Sequence, residues 1–568
     1  MDRLLISIEA GLYIVAVIAA LLLRFASLGY WPLLSTEATE AWAAWKLLQG
    51  GAPESLNYSP LLFGLNLLDF MAFGASDAMA RFWPALVGAV IVILPYLLRD
   101  RLGRCGAIAA SFLLALSPSF VYFSRTVSGT VLVAASVLTF LVAAHRYVAT
   151  RQKGHIYLGG IALALGLMSA ATIYTMLVAA LIFGGYLWLR NRRDPGDTEL
   201  QQLQAAWHDL KAGKEWRAAL GLGATLIVLI STALLWHWSG LQATLNLLGR
   251  WLQNLATPDG ITSWSYYLRA LLVYETLPLL VGVAGIVVAL RRGTLLGAFA
   301  TIWFVVAFVL GSAAGTRPAE LMPIIVLPLI LLAAQAINAL IETTPWAEID
   351  SANALFVIIV AVLSAFIYLQ LAAFTVQGET AYLRLGVVSI GILLLSFAVF
   401  WYWTGTVQAL PVAAITLIVI LLLLTVHSTM ELNAYNARDP RELLVQRSVS
   451  VDLRQLRPLL VDLSERTAER ERMPILLERA LHPLLSWYTR DFGPVRLVNA
   501  VPDVPEERVV IKLARGEEGP TGFVGQRFRI WATVETAHLG WGDWLKWYMH
   551  RLKIGTETSQ QIEVWFRP

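Results

Sequence analysis

The chain has 568 residues, 57% of them hydrophobic and only 14% charged, with a formal net charge of +4. Soluble domains carry about 25% charged residues, so this composition places the chain among polytopic membrane proteins. The slight basic excess is what cytoplasmic loops supply and implies no nucleic-acid partner, while the single cysteine, Cys105, excludes an internal disulfide and a cysteine-held metal.

In chain order, the first apolar segment, Ala10 to Leu23, is followed by Arg24 and bulky residues and lacks a small-residue cleavage site. It reads as a retained first span. At roughly 17–25 residues per helix, about thirteen spans are expected, near 8–26, 83–98, 106–123, 129–148, 156–172, 175–190, 218–237, 270–290, 294–313, 321–341, 354–376, 385–403 and 408–429. Leu61 to Phe73 is left out. It is short, interrupted by Asn66 and Asp69, and bounded by Pro60 and Gly74, which suits a helix lying in the membrane interface. A second interfacial helix is expected over Leu241 to Leu255. Residues 453–484 follow with a helical pattern, and β-rich runs at 495–498, 508–511 and 562–565 point to an α/β domain. The expected fold is therefore an α-helical polytopic membrane protein with two parts. Residues 1–429 form the transmembrane domain, with an outer loop at 27–82, and residues 430–568 form an extracytoplasmic α/β domain.

Charge orients the spans. With the first running inside to outside, the clusters at 99–104, 146–153, 190–214 and 291–292 all fall inside, as the positive-inside rule requires. The N-terminus is then cytoplasmic, and the loop 27–82, Arg125, residues 238–269, the 315–320 loop and the C-terminal domain share the outer face of the cell membrane.

That outer face carries the candidate chemistry. Glu37 and Glu40 lie one helical turn apart if 36–48 is a helix, so both can face one cavity. A carboxylate there can take a proton from an acceptor hydroxyl. The plain alternative is a pair of solvated first-turn acids favoured by the helix dipole, with Ser35 or Thr36 as the cap. Arg81, Arg125 and Arg317 sit at outer ends of spans, against the charge trend. A guanidinium fork suits a lipid phosphate, and the alternative is snorkelling or pairing with Asp77 and Glu320. Glu275 is an acid within an apolar segment, a functional candidate by its position. Trp31 and Tyr58 belong to the aromatic ledge beside the acids and join the candidate substrate-binding residues. Histidine spacing supports no metal site, and the absence of a phosphate-binding glycine loop argues against a nucleotide-driven pump.

Four stretches, RFASLGYWPLLSTEATEAW, YSPLLFGLNLLDFMAFGASDAMARFWPALVG, LLALSPSFVYFSRTVSG and WSYYLRALLVYETLPLLVG, occur in an order that resembles the GT-C superfamily of integral-membrane glycosyltransferases. The branch they resemble is that of the polyprenyl-phosphate-sugar:protein mannosyltransferases. The resemblance covers about residues 10–340. It implies transfer of a sugar from a polyprenyl-phosphate carrier to a protein, lipid or glycan acceptor on the outer face, without a cofactor. It maps Glu37 onto the second member of the family's first acid pair, with Thr36 in place of the first, and Arg81 and Arg125 onto phosphate-side positions. The missing acid motivates a second reading: a catalytically inactive scaffold that binds membrane lipid and other subunits of an envelope complex.

Overall fold

The computed structural model describes residues 7–258, 262–446, 448–466, 473–515, 520–535, 540–551 and 555–568. Helix α1 (Ile8–Phe25) leads to α2 (Ser35–Leu48), α3 (Pro60–Phe73) and the single turn α4 (Asp77–Ala80). Pro60 stands in the first turn of α3, where its missing N–H costs nothing, and Ser59 caps it by accepting from the Leu62 amide. The next span is α5 (Phe82–Val90), a 3₁₀ stretch around Pro95 and α6 (Arg99–Leu102). There follow α7 (Arg104–Leu116), α8 (Pro118–Ser124), α9 (Thr130–Thr150), α10 (Gly154–Leu167), α11 (Ile173–Arg193), α12 (Thr198–Ala212), α13 (Glu215–Ser231) and α14 (Gly240–Ala256). The membrane half ends with α15 (Tyr266–Tyr274), α16 (Thr276–Arg292), α17 (Leu295–Ala313), α18 (Met322–Thr343), α19 (Ser351–Gln377), α20 (Thr380–Thr404) and α21 (Thr406–Met430).

Among the described residues, nine helices are long and apolar enough to cross a membrane, and eleven if each of two bent pairs counts as one span. The protein is a multi-pass membrane protein, but the expected thirteen spans are not matched. Two of the segments fall short. Helix α10 stops at Leu167, and α13 at Ser231, where Ala233, Leu234 and Leu235 all take positive φ. At 1.5 Å per residue neither reaches the roughly 30 Å of a bilayer core. Hydropathy counted the apolar residues beyond these stops as helix. Two further segments are bent, α7 to α8 by 55° and α15 to α16 by 106°. Pro118 opens α8 and permits the first bend.

The basic clusters do share one end of the bundle. There Arg101 of α6 pairs with Glu199 of α12, Arg151 at the end of α9 with Asp209 of α12, and Lys153 at the start of α10 with Glu215 of α13, so α12 lies against α6 and α9 while α10 is tied to α13. Helices α2, α3 and α14 lie at the opposite end, where Arg250 of α14 reaches the Tyr58 carbonyl. Helix α18 is buried along most of its length and forms the axis of the bundle.

The C-terminal part is α/β, as expected. Six strands, β1 (Ser448–Val449), β2 (Ile475–Glu478), β3 (Val495–Val498), β4 (Val509–Leu513), β5 (Val524–Glu535) and β6 (Thr556–Phe566), are ordered β1-β5-β6-β4-β2-β3. Strand β2 runs parallel to β3 and β4, and the other pairs are antiparallel. Helices α22 (Leu456–Arg466), α23 (Leu484–Thr489) and α24 (Trp541–His550) complete it. The helical pattern expected across 453–484 is interrupted: Ile475-Leu-Leu-Glu is a fully buried central strand, and a short apolar run cannot be told from helix by periodicity. One core joins this domain to the first loop: Leu33, Ala38, Ala41, Leu62 and Phe63 cluster with Leu460, Leu477, Trp487 and Phe528.

Candidate active site

Helix α2 starts without a side-chain cap from Ser35 or Thr36. Glu37 reaches back to its own helix start and accepts from the Leu34 amide at 2.8 Å, while Ser35 Oγ accepts from Trp531 Nε1 of β5 at 3.1 Å. The Glu37 carboxylate, 1% exposed, is engaged on both oxygens. Oε1 accepts from Arg81 Nε at 2.8 Å and the Val127 amide at 2.9 Å. Oε2 accepts from Arg81 Nη2 at 2.8 Å and Arg438 Nη2 at 2.9 Å. Burial works against ionisation, but the two guanidiniums and the backbone donors outweigh it and hold the group down to about 2. A carboxylate so occupied has no lone pair open to an incoming proton.

Glu40, one turn on, is half-buried. Both of its oxygens lie 2.9 Å from the Ser59 amide, which donates to it. Desolvation raises its pKa to about 7, with Arg250 and the Ser59 amide pulling down and Glu320 adding to the rise. Thr36, beside Glu37, is exposed. The two acids on one helix face therefore sit in opposite environments.

Arg81 is saturated. Beyond Glu37 it donates to the carbonyls of Leu28, Trp31 and Pro32. Asp77, its alternative partner by sequence, instead accepts from Trp487 Nε1 and Tyr488 Oη. Arg125 is less engaged: Nη1 donates to the Leu23 carbonyl at 2.7 Å, and among the described residues its remaining N–H groups meet no acceptor. Arg81, Arg125 and Arg438 line a narrow cleft with Trp31, Tyr122 and Asn433. Arg317 ties its loop together by donating to the carbonyls of Ser312 and Thr262. Tyr58 is fully buried, stacked on Phe63 at 4.6 Å.

Glu275, the remaining candidate acid, has partners other than Glu37, Arg81 and Arg125. It is 0% exposed and stands at the break between α15 and α16. Its Oε1 accepts from Ser117 Oγ at 2.6 Å, Ser119 Oγ at 2.6 Å and the Ser119 amide at 3.0 Å. These lie at the bend between α7 and α8, so Glu275 joins two helix breaks by satisfying backbone freed there.

Residues 59–206 match the family model described as dolichyl-phosphate-mannose-protein mannosyltransferase. No curated protein sequence matches the chain. Among solved structures, ArnT from Cupriavidus metallidurans in the apo state aligns with a TM-score of 0.51 at 15% identity, over 87% of each chain. The same protein bound to undecaprenyl phosphate aligns with a TM-score of 0.51 at 16% identity, over 87% of this chain and 86% of that one. The apo oligosaccharyltransferase of Archaeoglobus fulgidus gives 0.45 at 14% identity, over 89% and 69%. The chain is a GT-C-fold membrane protein.

Within this GT-C fold, the structure brings Glu37, Glu40, Arg81, Arg125 and Trp31 to one end. Sequence reasoning missed Arg438, which lies 401 residues from its partner Glu37. It also missed Arg250, which faces Glu40, and it set Glu320 beside the outer arginines, whereas Glu320 acts on Glu40. Arg250 sits on an expected interfacial helix, and a lone base facing the acids was the available signal. Arg438, within NAYNARDPRELL, carried none, because its partner is set only by the tertiary fold.

Proposed function

We propose that this protein is a membrane glycosyltransferase. It moves a sugar from a polyprenyl-phosphate carrier to an acceptor hydroxyl at the α2 end of the bundle, on the extracytoplasmic face of the cell membrane. The observation that carries this reading is Glu40, a half-buried carboxylate with a pKa near 7, because a general base works best when its pKa matches the operating pH. The fold shared with ArnT, crystallised with undecaprenyl phosphate, supports the class of carrier.

In this reading the acceptor oxygen attacks the anomeric carbon and its proton passes to Glu40. The bond from that carbon to the phosphate oxygen breaks, and the polyprenyl phosphate leaves with both electrons. Attack opposite the leaving group inverts the anomeric configuration. The unengaged N–H groups of Arg125, with the cleft that Trp31 helps to line, receive the charge growing on the phosphate. Glu37 acts as a positioning residue that fixes Arg81 and Arg438. Arg317 and Tyr58 shape the loop and the start of α3 beneath the site. Residues 1–429 supply the membrane-embedded site, and residues 430–568 form the domain that covers it.

The test is a transfer assay with purified protein and polyprenyl-phosphate sugars, in which Glu40→Gln abolishes turnover while the protein remains folded. Full activity in that variant would overturn the assignment. Absence of transfer from every lipid-linked donor, together with stable co-purifying subunits, would favour the inactive scaffold.

A further inference from the structure

A second polar cavity, of about 440 Å³, lies where residues 29–32 and 76–78 meet 453–458 and 488–490 of the C-terminal domain. That is the size of a small-molecule site. Three guanidiniums line or border it against two carboxylates. Asp77 is satisfied by Trp487 and Tyr488, at 2.7 and 2.9 Å. Asp491 is shared between Arg457, at 2.7 Å, and Arg490, at 3.8 Å. Arg454 has no carboxylate partner among the described residues; its guanidinium lies 4.1 Å over the ring of Tyr30. Arg490 has a side chain only 5% exposed, stacks on Trp487 at 3.9 Å, and donates through Nη1 and Nη2 to the carbonyls of Trp487 and Ala75, leaving its Nε without a hydrogen-bond acceptor among the described residues. A buried donor left unmade is costly, and a cleft with surplus positive charge is relieved by an anion. Tyr30, Pro32, Leu453 and Pro458 give the lining an apolar and aromatic floor beside the cations.

Planar cations beside an aromatic floor suit a ring with an anionic substituent: Arg454 and the remaining donors of Arg457 take the phosphate oxygens and the floor takes the ring. We propose that this cavity binds a phosphate-bearing sugar, as the headgroup of the acceptor. The proposal rests on the transferase reading above, and its test uses binding, not transfer, so that the two fail separately.

The experiment is calorimetric titration of the detergent-purified full chain with glucose 6-phosphate, glucose and inorganic phosphate. Glucose 6-phosphate binds at least about tenfold tighter than either of the others, a difference of about 1.4 kcal/mol. The double variant Arg454→Ala/Arg457→Ala, at two exposed positions, weakens it at least about tenfold, and Tyr30→Ala weakens it independently. Glu40→Gln and Arg125→Ala bind as the parent does. Unchanged affinity in both the double variant and Tyr30→Ala, loss of binding in Arg125→Ala, or equal affinity for inorganic phosphate overturns the proposal.

Discussion

Glu37 and Glu40 occupy the same face of one helix, yet one is sealed and the other poised. Glu37 meets two arginines and two amides. Glu40 meets one amide and a distant arginine, with a second acid opposing it. A single turn of α2 thus separates an acid that builds the site from an acid free to change its charge. Burial alone does not set a carboxylate's role; the donors that come with it decide.

The sharpest way to break this contrast is to remove the sealed acid. Glu37→Ala leaves two buried guanidiniums without their counter-charge, and breaking such a pair costs about 3–5 kcal/mol. A large fall in thermal midpoint in detergent, or failure to purify, is expected, and a near-parental midpoint would refute the clamp. Next is Glu40→Gln, which loses about 10²–10⁴-fold in turnover as a missing general base but keeps the fold. Because burial raises the pKa of Glu40, ionisation costs stability as pH rises from its ordinary value near 4.5 through about 7. Glu40→Gln therefore melts higher than the parent above pH 7, a gain that an acid with an ordinary pKa would not show.

The pH dependence separates the two acids further. In the proposed role Glu40 acts when deprotonated, so turnover is expected to fall about tenfold per unit below pH 7 and to level above it, read from rate–pH profiles. Glu37, held near 2, contributes stability that is complete above about 4.5 and is lost as pH falls towards 2. The two midpoints lie far apart and report on different observables. The smallest effect is expected from Tyr488→Phe, which removes the hydroxyl that donates to Asp77 and accepts from the Leu33 amide. A loss of about 1 kcal/mol is expected from chemical denaturation.

Much of this architecture was legible along the chain. The apolar runs gave most spans, the basic clusters gave their shared end, and the two acids were visible as an i, i+3 pair. What sequence could not separate was their fate, because Arg438 and Val127 reach Glu37 only through tertiary folding. The breaks in α10, α13 and at Glu275 were hidden for a related reason. Hydropathy registers apolar residues whether or not the backbone stays helical, and a serine pair 156 and 158 residues away is what allows the chain to break at Glu275.

The contact between Glu37 and Arg438 also sets an order for biosynthesis. Helix α2 leaves the ribosome early, but Arg438 emerges only after α21. Until then Arg81 is the one arginine of the pair that Glu37 can meet, so the clamp stays unfinished until α21 has been made. A chain truncated before residue 438 carries both acids yet lacks one arginine of the clamp, which makes synthesis of nearly the whole polypeptide a precondition for its assembly.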